Sequence, residues 1–173
     1  MSNQQQQQQE VKVQQNLENI CDIGLNIFND DLETLLLLKY SYQYVYRQLS
    51  YGKYETLNLD IYQQLRRQET LLTDRMLIAL KDIENNCDAQ LMLHDKYGDP
   101  LLLGSTLNTI QIKQRVKQYL YRCRKYHYDG KHIMQYIDRL LLSIQAMGVK
   151  VEISAEDEFC LKEAWQDHEL ARI

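Results

Sequence analysis

The chain has 173 residues and a formal net charge of −4 at pH 7; 45% of its residues are hydrophobic and 25% are charged. These proportions are those of an ordinary globular protein, and a chain of this length can bury a core without disulfides or metal. No apolar run approaches the length of a membrane span, so the sequence predicts no membrane association.

Residues that interrupt helices are scarce, since the chain has six Gly and a single Pro, Pro100. Leu, Gln, Glu, Lys and Arg are common, which favours helices over a turn-rich β-fold. We predict an all-α fold, a bundle of five to six helices with one long central helix, and a single helical domain over residues 11–173. Residues 1–10 include the run Gln4 to Gln9, which has no apolar face, and are predicted to form a disordered tail.

Apolar residues recur at steps of three and four in five segments, the signature of one helical face. These stripes begin at Val13, Leu35, Ile61, Ile112 and Ile133. The second segment carries a competing signal, because four tyrosines in it alternate with the period of two that is typical of a strand. The leucines that precede those tyrosines favour a helix.

The third segment predicts the long central helix, over residues 57–86, which would extend about 45 Å. A helix of this length forms the spine of the bundle or projects and pairs with a copy of itself, so a homo-oligomer through the 57–86 helix stays open. The next helix is predicted to start near Ser105 or Thr106, after a turn at 97–100. The alternation of apolar residues over 149–153 allows a short strand there.

A basic segment lies between two acidic ends of the chain. Residues 111–132 carry seven cations and one acid, Asp129. Over 111–128 the cations are interleaved with tyrosines, and this combination can neutralise phosphates and stack on unpaired bases. The same cations can also meet an acidic protein or the acidic ends of the chain itself. The candidate nucleic-acid-binding residues are Lys113, Arg115, Lys117, Arg122, Arg124 and Lys125.

Two patterns with catalytic or metal-binding residue types are weak. Cys123 and His127 share a helical face and His132 follows closely, but no CxxC pair accompanies them. Cys87 and His94, which could complete a ligand set, lie far away along the chain. Cys160 and His168 are eight residues apart, without an orienting group or an oxyanion hole. The sequence therefore predicts no metal, no cofactor and no enzyme activity. The four cysteines stand singly, which favours reduced thiols and a cytoplasmic location.

With many helical faces and no reaction centre, the chain is predicted to be a non-enzymatic protein–protein interaction module: an adaptor, assembly factor, inhibitor or subunit of a larger complex. A protein partner is the first expectation, and a nucleic acid bound by the basic, Tyr-rich helix 111–128 is the alternative. Exposed tyrosines often dominate binding energy, so the second helix supplies the candidate partner-binding residues. These are Tyr40, Tyr44, Tyr51 and Tyr54.

Overall fold

Four helices account for most of the computed structural model, which describes residues 31–52 and 58–159. They are α1 (Asp31–Tyr51), α2 (Leu59–Tyr97), α3 (Thr106–Tyr126) and α4 (Gly130–Ala146). A further helical turn follows at 155–159. The prediction of an all-α bundle with one long central helix is confirmed.

The helices pack with alternating directions around α2, which contacts all three of the others. Asp31 at the start of α1 accepts a hydrogen bond from Asn86 (2.7 Å), whereas Tyr42, further along α1, donates one to Glu69 (3.2 Å). These two contacts make α1 and α2 antiparallel. The short connections make α3 antiparallel to α2, and α4 antiparallel to α3.

The central helix is longer than predicted, because it runs over 39 residues from Leu59 and does not end near Asn86. Asn86 is compatible with the helix because its side-chain amide is bonded to α1. The ends are capped: Asn58 accepts a hydrogen bond from the Ile61 amide (3.1 Å), and Gly98, at a φ of 69°, donates its backbone N–H to His94.

The apolar stripe of α2 faces the core of its own chain. Its buried members include Ile61, Leu65, Leu72, Met76, Ala79, Leu80 and Ile83. This stripe is therefore unavailable to a second copy, and self-association through α2 would have to use the outer side, where Leu71 and Ile78 are exposed. A homo-oligomer through this helix stays a prediction.

The competing strand signal in the second segment was misleading, since the tyrosines lie in the middle of α1. Tyr42 and Tyr44 are buried, and Tyr40 and Tyr46 are half-buried. Ser41 is also enclosed, and its hydroxyl donates to the Leu37 carbonyl one turn earlier (2.8 Å), which satisfies the buried group.

The short strand that the sequence allowed near 149–153 is not present, and no strand occurs anywhere in 31–52 or 58–159. The alternation itself is real: Val151 is buried and Val149 and Ile153 are half-buried, while the residues between them are exposed. The segment packs against the helices and has no neighbouring strand, so the period of two reflects burial without β-pairing. The amide of Ser154 donates to the Glu33 side chain (3.2 Å).

Several predictions fall outside the described residues: the Gln-rich tail at 1–10, the stripe that begins at Val13, and the part of the closing helix beyond Phe159. The single-domain prediction for 11–173 therefore stays a prediction. Among the helices that the structure describes, none combines the length and the apolar character needed to cross a bilayer.

Candidate partner-binding surface

Helix α3 carries the basic residues that the sequence singled out. Ser105 caps it, accepting a hydrogen bond from the Asn108 amide (3.1 Å), as the sequence predicted for its start. Its buried stripe includes Ile112, Val116 and Cys123, and this stripe fixes which side faces solvent. The helix holds six cations and no Asp or Glu.

The six cations have different surroundings. Lys113 forms an ion pair with Asp88 of α2, and the hydrogen bond to that carboxylate raises the pKa of the lysine. Arg115 donates to the Ser143 hydroxyl of α4 (2.8 Å). The other four are exposed and have no carboxylate partner in the part of the chain that the structure describes. They are Lys117, Arg122, Arg124 and Lys125.

Helix geometry divides these cations between two sides of α3. Lys113, Lys117 and Arg124 are separated by four and seven residues, so they share the side next to α2. Arg115 and Arg122 are seven residues apart and share the side next to α4. Five of the six predicted cations therefore form two rows, and Lys125 lies between the rows on the outer side of α3.

Aromatic rings cluster at the turn between α3 and α4. Tyr119 stacks on Tyr136 with ring centroids 4.5 Å apart. Tyr128 stacks with both Tyr126 (5.6 Å) and His132 (4.7 Å), and is tilted against Tyr136 (6.0 Å). The sequence did not reveal this cluster, because its members come from two helices and the turn, and their pairing depends on how those helices pack.

Lys125 lies at the outer edge of the same region. Its ammonium is 5.8 Å from the ring centroid of Tyr121 and 5.4 Å from that of Tyr126, within range of a cation–π interaction with each. Both rings are more than half exposed, at 62% and 54%. The repeat of three and four residues that begins at Ile112 extends to Tyr126 and predicts a buried ring there. This prediction is wrong, because the helix ends at Tyr126 and the ring lies at the surface.

The turn is built by its two capping residues. His127 ends α3 in the left-handed region at a φ of 49°, and its backbone N–H donates to Cys123. Asp129 then starts α4, accepting a hydrogen bond from the His132 amide (3.1 Å), and its carboxylate also lies 2.6 Å from Nδ1 of that ring. The hydrogen bond from the His132 side chain lowers the pKa of Asp129.

The described tyrosines among the predicted partner contacts differ in their exposure to solvent. Tyr44 is 1% exposed, so it packs in the core and cannot contact a partner of the folded chain; the sequence could not show this because it lies beside the apolar stripe of α1. Tyr40 is half-buried with the Lys39 ammonium 5.4 Å from its ring. Tyr51 is 62% exposed, and Tyr54 lies outside the described residues.

The described residues include no group of three or more His, Cys, Asp or Glu side chains arranged to hold a metal ion. Cys87 and Cys123 are buried thiols. Burial raises the pKa of Cys87 to about 11, and it raises the pKa of Cys123 as well. The Cys160 and His168 pair lies outside the described residues.

No family model matches this chain, and no curated protein and no solved structure is significantly similar to it. The class that the fold defines is an all-α helical bundle. Helical bundles support many functions, so a function has to be argued from the side chains at the surface.

Proposed function

We propose that the protein is a non-enzymatic helical protein–protein interaction module, an adaptor, assembly factor, inhibitor or complex subunit, that binds an acidic segment of a partner protein through α3. One observation carries the proposal: α3 has six cations and no acid, and four of those cations have no carboxylate partner in the described chain. The residues concerned, called the α3 surface below, are Lys117, Tyr121, Arg122, Arg124, Lys125 and Tyr126.

Charge and ring chemistry favour a protein as the partner. The chain as a whole is acidic, so the α3 surface attracts anions only locally, and complementary charge then sets orientation and association rate. The exposed rings of Tyr121 and Tyr126 add apolar contact area, and tyrosine and arginine are enriched among residues that dominate binding energy.

Nucleic acid is the alternative partner, bound by the same cations of α3. The position of Lys125 beside two exposed rings favours it, because single strands combine phosphate contacts with base stacking. Two observations weaken it. Lys113 is already paired with Asp88, and the Tyr128 ring already stacks with two rings of its own chain.

Site-specific photo-crosslinking tests the proposal. A photoreactive phenylalanine analogue replaces Tyr121, and in the control it replaces Arg67, which is exposed on α2. In cells that naturally express the chain, the Tyr121 position should give protein adducts that survive nuclease, with crosslinked peptides rich in Asp and Glu. The adducts should disappear in an Arg122→Glu/Lys125→Glu background. Nucleic-acid adducts, or the same protein adducts from both positions, would overturn the proposal.

Salt dependence separates the two partner classes with purified components. A fluorescent single-stranded oligonucleotide of about 20 nucleotides is titrated with the protein at several salt concentrations. The protein-partner proposal expects no saturable binding near physiological salt. Tight binding that weakens steeply with salt and is lost in Arg122→Ala/Arg124→Ala/Lys125→Ala would establish the nucleic-acid alternative instead.

A cytoplasmic location is part of the same proposal. Cys87 and Cys123 are both free thiols, which suits a reducing compartment. Imaging of the tagged full-length chain would test this, and accumulation in an oxidising compartment would contradict it.

A further inference from the structure

Three arginines line the groove between α3 and α4, called the arginine groove below. Arg115 and Arg122 come from α3, and Arg139 comes from α4; all three are exposed. Because Arg115 bonds to Ser143 and Tyr119 stacks on Tyr136, the antiparallel pairing places Arg139 between the other two along the groove. The Arg139 guanidinium is also 5.9 Å from the centroid of the Tyr136 ring.

The arginine groove contains no acid from either of its helices. Helix α3 has none, and the single acid of α4 is Asp138. That carboxylate is bonded to Lys39 of α1 (2.6 Å), on the opposite side of α4 from α3. Within the described ranges, none of the three arginines forms an ion pair. No carboxylate of α3 or α4 therefore neutralises the positive charge of the three arginines.

The spacing of the row fits an acidic helix. Arg115 and Arg122 are two helical turns apart, a rise of about 10.5 Å, and Arg139 lies between them across the groove. Carboxylates at positions i, i+4 and i+7 of a third helix have the same spacing along one face. Guanidinium groups bind carboxylates through two parallel hydrogen bonds, which gives such a match both strength and direction.

The outer face of α4, beside the groove, carries an exposed apolar side chain. Leu142, one turn beyond Arg139 on α4, is 58% exposed. A helix that lies along two packed helices usually buries an apolar residue beside its polar contacts. An acidic amphipathic helix with an apolar side chain next to its carboxylates would cover Leu142 as well.

We infer that the partner segment is an acidic amphipathic α-helix that lies in the arginine groove and places carboxylates of one face against Arg115, Arg139 and Arg122. This inference rests on the proposed function and deepens it, since it specifies the shape and the charge spacing of the partner.

Two synthetic peptides of identical composition test the inference. In the first, Glu residues repeat at i, i+4 and i+7 beside a Leu; in the second, the same residues are distributed around the helix. Fluorescence anisotropy near physiological salt compares their affinities for the full-length chain. We expect the first peptide to bind about tenfold or more tightly than the second, because only the first can place its carboxylates against all three arginines at once.

Matched variants identify the residues responsible. Arg115→Gln/Arg122→Gln/Arg139→Gln should weaken the first peptide about tenfold or more. Arg67→Gln/Lys96→Gln/Lys150→Gln removes three charges from exposed positions elsewhere and should change little. If circular dichroism shows that the groove variant loses helicity, Arg139→Gln alone replaces it, since this change preserves the bond between Arg115 and Ser143.

The outcomes distinguish the acidic-helix inference from the proposed function of the α3 surface. Equal binding of the two peptides, or no effect of the groove substitutions, overturns the acidic-helix inference. In that case acid-rich protein adducts at position 121 would still support the α3 surface as a binding site. Preferred binding of a single-stranded oligonucleotide, lost in the groove variant, would overturn both proposals.

Discussion

The carboxylate of Asp129 contacts His132 twice, accepting a hydrogen bond from its amide at 3.1 Å and lying 2.6 Å from its Nδ1. The first contact caps α4. The second holds the imidazole where it stacks on Tyr128, with centroids 4.7 Å apart. One acid therefore couples the start of a helix to the aromatic cluster next to the α3 surface.

This coupling predicts a loss of stability in acid. The pKa of Asp129 in the folded chain is lowered, chiefly by the hydrogen bond from the His132 side chain. The ionised carboxylate therefore stabilises the fold above the pKa of an aspartate in the unfolded chain, which is about 4. The contribution is lost as the pH falls through the lowered, folded-state pKa. Asp129→Asn keeps a capping oxygen but removes the titrating group. Urea unfolding at several pH values should show the wild type more stable at pH 6 and the difference shrinking below pH 4. A difference that is independent of pH would contradict this assignment.

Gly130 is predicted to be required for the close packing of α4 on α1 and α2. A Cβ at this position would overlap the buried ring of Tyr42 and lie 2.5 Å from the Thr73 hydroxyl. That hydroxyl is already held by the Glu69 carbonyl (2.7 Å), so neither neighbour can move easily. Although alanine is the better helix former, Gly130→Ala should lower the free energy of unfolding by about 1–3 kcal/mol.

Thermal unfolding checks this prediction, with Lys131→Ala as the control. The control changes the adjacent, exposed residue and should shift stability by about 0.5 kcal/mol or less. Adding Thr73→Ala to Gly130→Ala should recover part of the loss, because it removes one of the two overlapping neighbours. A melting temperature unchanged by Gly130→Ala would refute the packing argument.

Much of the fold was predictable from the sequence, because helical periodicity records which side of each element is buried. The stripes that begin at Leu35, Ile61, Ile112 and Ile133 all face the core. The turn that ends α2 at Gly98 was predicted, but the helix was predicted to stop near Asn86, because the apolar repeat of three and four residues ends at Ile83. The alternation over 149–153 recorded burial correctly but could not show that a neighbouring strand is lacking.

The candidate site was less predictable, since it depends on contacts between helices. Composition identified the cations of α3, but Lys113 is paired with an acid 25 positions earlier, Asp88, and the sequence does not show that proximity. Arg139 was not among the predicted residues, because it lies outside the basic segment 111–132 on which that prediction was based. Its place beside Arg115 and Arg122 follows only from the packing of α4 on α3.

His127 is predicted to destabilise the folded chain slightly. Its backbone adopts the left-handed conformation, at a φ of 49°, which favours glycine over a residue with a side chain. That conformation costs a side-chain-bearing residue about 1–2 kcal/mol. His127→Gly should therefore raise the melting temperature by about 2–4 °C, as measured by circular dichroism. Gln118→Gly, in the exposed interior of α3, should instead lower stability by about 1 kcal/mol. A lower melting temperature for His127→Gly would show that the imidazole makes a compensating contribution.

The buried thiols are predicted to react only when the chain unfolds. Burial raises the pKa of Cys87 to about 11 and also raises that of Cys123, so little thiolate forms at neutral pH and reagents cannot reach the sulfur atoms. The test uses a Cys21→Ser/Cys160→Ser variant, which leaves these two thiols alone in the chain. Labelling with a disulfide reagent at pH 7 should be slow in buffer and rapid in denaturant. Rapid labelling of the folded variant would mean that the core between α2 and α3 opens readily, and that the arginine groove is not held by a rigid bundle.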